Sequence, residues 1–304
     1  MNGFFAPPYR ARVRVIAMAV AVALPLALSA QSRLTPEAAA TLDRVSQYVD
    51  GYFARAQSLM VEETVVVQPV RADLQPDGFA RRLVYELRFE WSAGADAGAP
   101  RIEVVRELVR ADNRPPRPNS EPKCLDPAPV TPEPLEFLLP GRRAEFGFKV
   151  SGVTTTEGRR VILLDYTPRG RGASPTAKAD PKGTGDMDCV SFEVPNRAGG
   201  RIWVDAETAA VIRIDEDLLG PTEIPLPREL NRRPGWGMRA TLLRNSSSIR
   251  YRPVTFTDPD ETLMLPTTIE NVWVTAVSGI RGVRMTQQYR NYRRFLTQSR
   301  VIVP

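Results

Sequence analysis

Histidine is missing from all 304 residues, and cysteine occurs only twice. The first absence removes Ser-His-Asp and Cys-His nucleophile systems, His-ligated zinc and haem on a proximal histidine. The second leaves too few thiolates for a Cys-only zinc site or an iron–sulfur cluster. No G-x-x-x-x-G-K-[ST] or G-x-G-x-x-G phosphate loop occurs, and no G-x-S-x-G elbow. Any enzyme would have to work through carboxylates, Lys, Ser or Tyr. No catalytic residue, metal ligand or cofactor is assigned from the sequence. What is present, 42% hydrophobic and 25% charged residues, is a globular balance of a length for one large domain or two small ones.

Acidic residues are also missing from the first 30 positions, which hold Arg10, Arg12 and Arg14. From Val15 to Ala30 only Pro25 and Ser29 fall outside Ala, Val, Ile, Leu and Met. As a helix this run spans about 24 Å, short of the roughly 30 Å hydrocarbon core of a bilayer. The segment reads as a secretory signal peptide over 1–30, cut near Ser29-Ala30; the alternative is an uncleaved anchor. No cysteine lies near the cut, so a periplasmic protein that is not a lipoprotein is expected. Removing the leader takes three arginines and no acid, which lowers the net charge from +6 to +3. That is too small for a nucleic-acid footprint, so no nucleic-acid partner is expected. In an oxidising compartment Cys124 and Cys189 are expected to form a disulfide, the alternative being two free thiols.

Thr35-Pro36-Glu37 is a helix start: Thr caps, Pro fits the first turn and Glu faces the positive end of the dipole. Leu42, Val45, Val49, Phe53, Ala56 and Met60 then recur at helical spacing, predicting one amphipathic helix over about 36–58. The period next changes to two, as in Leu83, Tyr85, Leu87, Phe89 and Trp91. Such alternation marks an antiparallel sheet with one wet face. Strands are expected near 61–68, 80–92, 101–110, 144–151, 159–167, 190–195, 200–205, 210–217, 248–257, 263–277 and 283–297. Turns are expected at 205–208, 258–261 and 278–282. Three stretches interrupt the pattern: 112–140 with nine of the 28 prolines, 168–188 as a long loop, and 218–247, rich in Pro and Arg. Residues 31–304 are expected to form one domain carrying these three insertions.

One helix followed by about eleven antiparallel strands is an unusual order. Within it, Gly200-Arg201-Ile202-Trp203-Val204-Asp205-Ala206-Glu207-Thr208, continuing through Val211-Ile212-Arg213-Ile214, resembles the WxDxxT…(V/L)xR hairpin of the bacterial lipoprotein-carrier superfamily (LolA/LolB-like, including RseB-like sensor domains). Tyr289-Arg290-Asn291-Tyr292-Arg293-Arg294-Phe295 resembles a final strand of related envelope proteins. The resemblance implies a mainly β (α+β) fold: a curved, partly open antiparallel β half-barrel wrapping the long N-terminal helix. It also implies a concave face that binds acyl chains or other apolar ligands. The three insertions and the cysteine pair depart from the general pattern.

A sheet that curls without closing leaves a hollow lined at period two. Leu135, Phe137, Leu138 and Leu139 are the candidate lid; Phe146, Phe148, Trp203 and Trp273 are candidate walls. The competing reading is that all eight are ordinary core. Ser120-Glu121-Pro122-Lys123 matches Ser-x-x-Lys, but Pro122 denies it the helix that this chemistry needs. Asp215-Glu216-Asp217, Asp186-Met187-Asp188 and Asp258-Pro259-Asp260-Glu261 lack calcium-loop spacing and read as solvated turns. The expected function is a periplasmic, non-enzymatic module for an apolar or lipidic ligand, akin to a lipoprotein or lipid carrier. Tyr289 to Phe295 is expected to be a strand with Arg290, Arg293 and Arg294 on its wet face, and anionic lipid head groups at a membrane surface are a candidate partner for them. The alternative is an envelope protein–protein interaction or stress-sensor domain on the same fold. A third reading is a carboxylate-dependent hydrolase using Asp215, Asp217, Asp258 and Asp260.

Overall fold

The computed structural model describes residues 35–56, 58–92, 101–117, 124–126, 134–170, 172–178, 189–227, 238–277 and 279–294. The expected leader, the Ser-x-x-Lys match and the Asp186–Asp188 cluster lie outside the described residues. Helix α1 (Pro36–Arg55) begins where the capping signal places it: the Ala38 N–H donates to Thr35 Oγ1 at 3.2 Å. It stops at Arg55, earlier than its periodicity predicts. Ser58 already pairs with Glu90, so sheet hydrogen bonds take the chain where the apolar spacing would have continued the helix.

Among the described residues thirteen strands follow: β1 (Ser58–Val70), β2 (Arg81–Ser92), β3 (Arg101–Ala111), β4 (Phe146–Thr156), β5 (Arg159–Pro168), β6 (Thr176–Lys178), β7 (Ser191–Glu193), β8 (Ala198–Asp205), β9 (Val211–Leu218), β10 (Thr222–Pro225), β11 (Arg239–Thr257), β12 (Asp260–Ala276) and β13 (Ile280–Arg294). Eleven of them form one antiparallel sheet in the order β3-β2-β1-β13-β12-β11-β9-β8-β5-β4, with β10 beside β11. β6 and β7 make a separate two-stranded ribbon. The outer strands β3 and β4 do not pair with each other, so the sheet stays open.

Two expectations about irregular segments need correction. Residues 218–247 hold β10 and the first half of β11, which pairs with β12 from Thr241 onward. The run Ser246-Ser247-Ser248 has little strand propensity of its own, and pairing on both flanks with β9 and β12 decides its state. Within 168–188, Thr176–Lys178 pairs with Ser191–Glu193 as the small ribbon. β4 also runs on to Thr156, past the expected end at 151. A bulge between Val150 and Gly152 absorbs the glycine, and Glu157-Gly158, both at positive φ, makes the turn into β5.

The apolar stripe of α1 lies against the sheet. Leu42, Val45, Val49, Tyr52 and Phe53 share one buried cluster with Leu59, Leu87, Ile202, Ile214, Ile249 and Leu265. Each such buried side chain contributes about 1.5–3 kcal/mol relative to exposure. The opposite face of the sheet carries charge. Arg201 Nε pairs with Asp165 Oδ1 at 2.6 Å, Arg213 with Asp215, and the Ser248 hydroxyl donates to Asp215 Oδ1 at 2.7 Å. Among the described residues, no helix is long and apolar enough to cross a membrane.

Candidate binding cavity

Antiparallel register puts residues of neighbouring strands side by side. On the inner face one such row runs Leu164, Ile202, Ile214, Ile249, Ile269 and Gln287. The next runs Tyr166, Gly200, Glu216, Ser247, Asn271 and Met285. The first is almost wholly aliphatic and mostly buried in the main core cluster with α1. The second mixes small, polar and apolar groups and is left partly open. A cavity of about 1050 Å³ lies over it. Its walls include Ile249, Ile269, Trp273, Val283 and Met285 of the long C-terminal strands. Phe137, Phe146, Tyr166, Val190 and Phe192 enclose it from the other side. Its volume is at the upper end of small-molecule pockets.

The floor holds a buried polar network. Glu63 is fully buried and accepts from Arg106 Nε at 2.8 Å, Gln287 Nε2 at 2.7 Å and the Tyr289 hydroxyl at 2.9 Å. Asn271 Nδ2 donates to Gln287 Oε1 at 3.3 Å, extending the network along the wall. Burial, then the negative charge of Glu63, pushes the Tyr289 phenol well above its usual range, so it stays a donor. A carboxylate this deep is tolerable because it is paired and its oxygens are hydrogen-bonded.

A second polar pair faces the hollow. The Tyr166 hydroxyl donates to Glu216 Oε2 at 2.9 Å. Burial raises the Glu216 carboxyl above the ordinary range, and the negative charge of Asp217 adds to this against the Tyr166 hydrogen bond. Phe137, Phe146 and Phe148 gather round the Tyr166 ring, with centroids 4.8, 6.0 and 6.4 Å from it. Such clusters contribute beyond area burial through edge-to-face contacts.

The eight sequence-predicted residues divide among three places. Phe137, Phe146 and Trp273 line the cavity. Leu135 and Leu138 are fully buried in the core, in a 3-10 turn over 135–138 that docks on α1. The Ser46 hydroxyl donates to the Leu138 carbonyl at 2.6 Å, which fixes that turn in place. Leu139 and Phe148 also pack on the core cluster, Leu139 only partly buried, and neither lines the cavity. The 135–138 segment is thus a plug under the helix with one aromatic side chain, Phe137, turned to the hollow. Trp203 stands on the outer face, since Ile202 and Val204 beside it point inward, and Arg213 lies over its ring at 4.7 Å. Its strand parity was legible from Ile202 and Val204. Cys124 and Cys189 are joined as a disulfide that borders the cavity.

Tyr166, Asn271, Gln287 and Arg106 line the cavity without a sequence signal of their own, and Glu216, expected in a solvated acidic turn, lies instead within β9 and faces the hollow because pairing with β8 and β11 extends that run. A signal existed for the floor: Glu63 interrupts the apolar alternation of β1, where a lone carboxylate needs a buried cation. The four hydrolase candidates do not converge. Asp215 pairs across from Ser248, ten positions before Asp258 on the same strand and turn, which is on the order of 30 Å. None of the four borders the cavity. Among the described residues no group of three or more Cys, Asp or Glu side chains is placed to hold a metal ion.

No protein-family profile and no curated protein matches the sequence. Solved structures do match. A DUF1329 family protein from Desulfovibrio piger is 11% identical, with 87% of this chain and 96% of that one covered at a TM-score of 0.38. A LolA superfamily protein from Nitrosomonas europaea is 10% identical, with 88% and 97% covered at a TM-score of 0.30. An outer membrane lipoprotein-sorting protein domain from Vibrio parahaemolyticus is 8% identical, with 85% and 94% covered at a TM-score of 0.37.

Proposed function

We propose that the chain is a periplasmic, non-enzymatic binding module that holds an apolar or lipidic ligand in the hollow of its open sheet. One observation carries the reading. Helix α1 and the 135–138 plug cover only part of the concave face and leave about 1050 Å³ walled by Ile249, Ile269, Trp273, Val283 and Met285. Apolar walls with a few fixed polar groups are the usual composition of a ligand pocket. Export through the 1–30 segment is part of the proposal.

The test has two arms. Protein purified from its own envelope is extracted with organic solvent and the extract is mass-analysed. The delipidated protein is then titrated with dodecyl maltoside below its critical micelle concentration. A co-purifying amphiphile and saturable one-site binding at micromolar concentration are expected. An empty extract together with no saturable binding would overturn the reading.

A protein partner in the envelope is the second reading. It is favoured by the outer edge of β3, which pairs with no other strand among the described residues and where Val105 and Val109 are 53% and 43% exposed. In-cell cross-linking from residue 105 is expected to recover a single protein under that reading. Recovery of lipid alone counts against it.

A further inference from the structure

Glu216 is a carboxylate of the cavity with no cation partner among the described residues. Tyr166 occupies one of its oxygens, and no described residue donates to the other. Apart from Glu136 and Arg281, the other charged groups of the lining are paired. The Arg106 guanidinium is held by Glu63, Asp126 is paired with Arg81, and Arg142 Nε donates to Glu145 at 2.8 Å. Arg281 borders the cavity far from Glu216. It lies four residues along β13 from Met285, which shares the Glu216 row three strands away, so on the order of 15–20 Å separates them. Glu136 adds a second carboxylate to the lining beside Phe137. The rings of Phe137, Phe146 and Tyr166 stand on the same side of the hollow as Glu216.

A half-desolvated carboxylate beside aromatic faces is a poor environment for an anion and a good one for a cation. We propose that the cavity selects amphiphiles with a positively charged ammonium head, held by Glu216 against the Phe137, Phe146 and Tyr166 rings while the chain lies along Trp273, Ile269 and Met285. The inference rests on the cavity reading above and adds the class of head group. It also runs against the sign of the overall charge, which is +6 for the whole chain and +3 without residues 1–30 and on that ground leans toward anions. Burial raises the Glu216 carboxyl, and a cation bound beside it would offset that shift.

Three probes of equal chain length separate the claims: dodecyltrimethylammonium, dodecyl maltoside and dodecanoate, each titrated below its critical micelle concentration by calorimetry. The ammonium probe is expected to bind at least about tenfold tighter than the maltoside, and dodecanoate weakest. In Glu216→Gln the ammonium probe should fall to the maltoside affinity, with maltoside binding retained as evidence that the cavity is intact. Equal affinities, or preference for dodecanoate, would overturn the head-group inference and leave the apolar cavity standing. Preference for ammonium that survives Glu216→Gln would also overturn it, because the charge would then be read elsewhere. Binding of none of the three overturns both readings.

Discussion

The Tyr166 hydroxyl reaches Glu216 across a strand that places no side chain between them. Gly200 in β8 occupies that position, opposite Tyr166 on one side and Glu216 on the other. A Cβ there would lie 1.9 Å from the Asp215 carbonyl oxygen, so β8 and β9 approach too closely for any other residue. Gly200→Ala is expected to destabilise by about 1–3 kcal/mol or more, because backbone and not a flexible side chain would have to move. Urea denaturation measures it. A variant as stable as the parent would mean that the two strands separate freely and that the Tyr166–Glu216 geometry is not fixed by them.

Glu216 also makes a prediction about pH. Burial, the largest cause, raises its carboxyl above the ordinary value; Tyr166 opposes this and Asp217 adds to it. A raised folded value means that folding disfavours the ionised form. The stability linked to this group is therefore full below the unfolded carboxylate value, about 4.3, and is lost as pH rises through the folded value. Glu216→Gln removes the charge and keeps an acceptor for Tyr166. The variant is expected to melt higher than the parent at neutral pH, with the difference shrinking toward about pH 4. For a chain of this size each 1 kcal/mol appears as about 2–4 °C. Melting curves that coincide at every pH would show that a cation already compensates the carboxylate.

The floor pair calls for a double substitution. Glu63 and Arg106 are 0% and 4% exposed at their side chains and are joined by two hydrogen bonds. Removing either partner alone leaves a buried charge, so Arg106→Met is expected to cost about 3–5 kcal/mol. Glu63→Gln together with Arg106→Met should cost clearly less than the two single changes added, since neither charge is then stranded. Additive losses in guanidinium denaturation would show that the two groups are solvated independently.

Alternation and capping carried most of the fold, while cross-strand contacts were carried by neither. Thr35-Pro36-Glu37 named the helix start because capping is local. The turns at 205–208 and 258–261 were legible from Asp and Pro for the same reason. The WxDxxT segment folds as such a turn: Asp205 Oδ1 accepts from the Glu207 and Thr208 N–H groups at 2.9 Å each. Arg44 of α1 then clamps the Ala206 and Glu207 carbonyls at 3.0 and 2.7 Å. That explains the motif as a structural joint between helix and sheet and gives Trp203 no part in the hollow. Local signals failed where partners decided the state. Arg239 to Ser247 extend because β10, β9 and β12 flank them. Likewise Glu216 reads as one of three acids in a row, and only the register with Gly200 and Ser247 separates it from Asp215 and Asp217 on the outer face.

The two tryptophans on opposite faces give the sharpest separation of cavity from scaffold. Trp273 sits on β12 between Asn245 and Val283 in register, and all three border the hollow. Trp203 lies under Arg213 on the other face and touches no part of it. Trp273→Ala removes a large flat wall, and anchors of this kind carry a disproportionate share of binding energy. Its affinity for dodecyl maltoside is expected to fall about tenfold or more by calorimetry, about 1.4 kcal/mol. Trp203→Ala loses a cation–π contact with Arg213 worth about 0.5–1 kcal/mol and should bind the same probe as the parent does. Circular dichroism controls that both variants are folded. Equal loss of affinity in both variants would mean that the effect is transmitted through stability; no loss in either would place the ligand away from the C-terminal strands and remove the wall on which the binding reading depends.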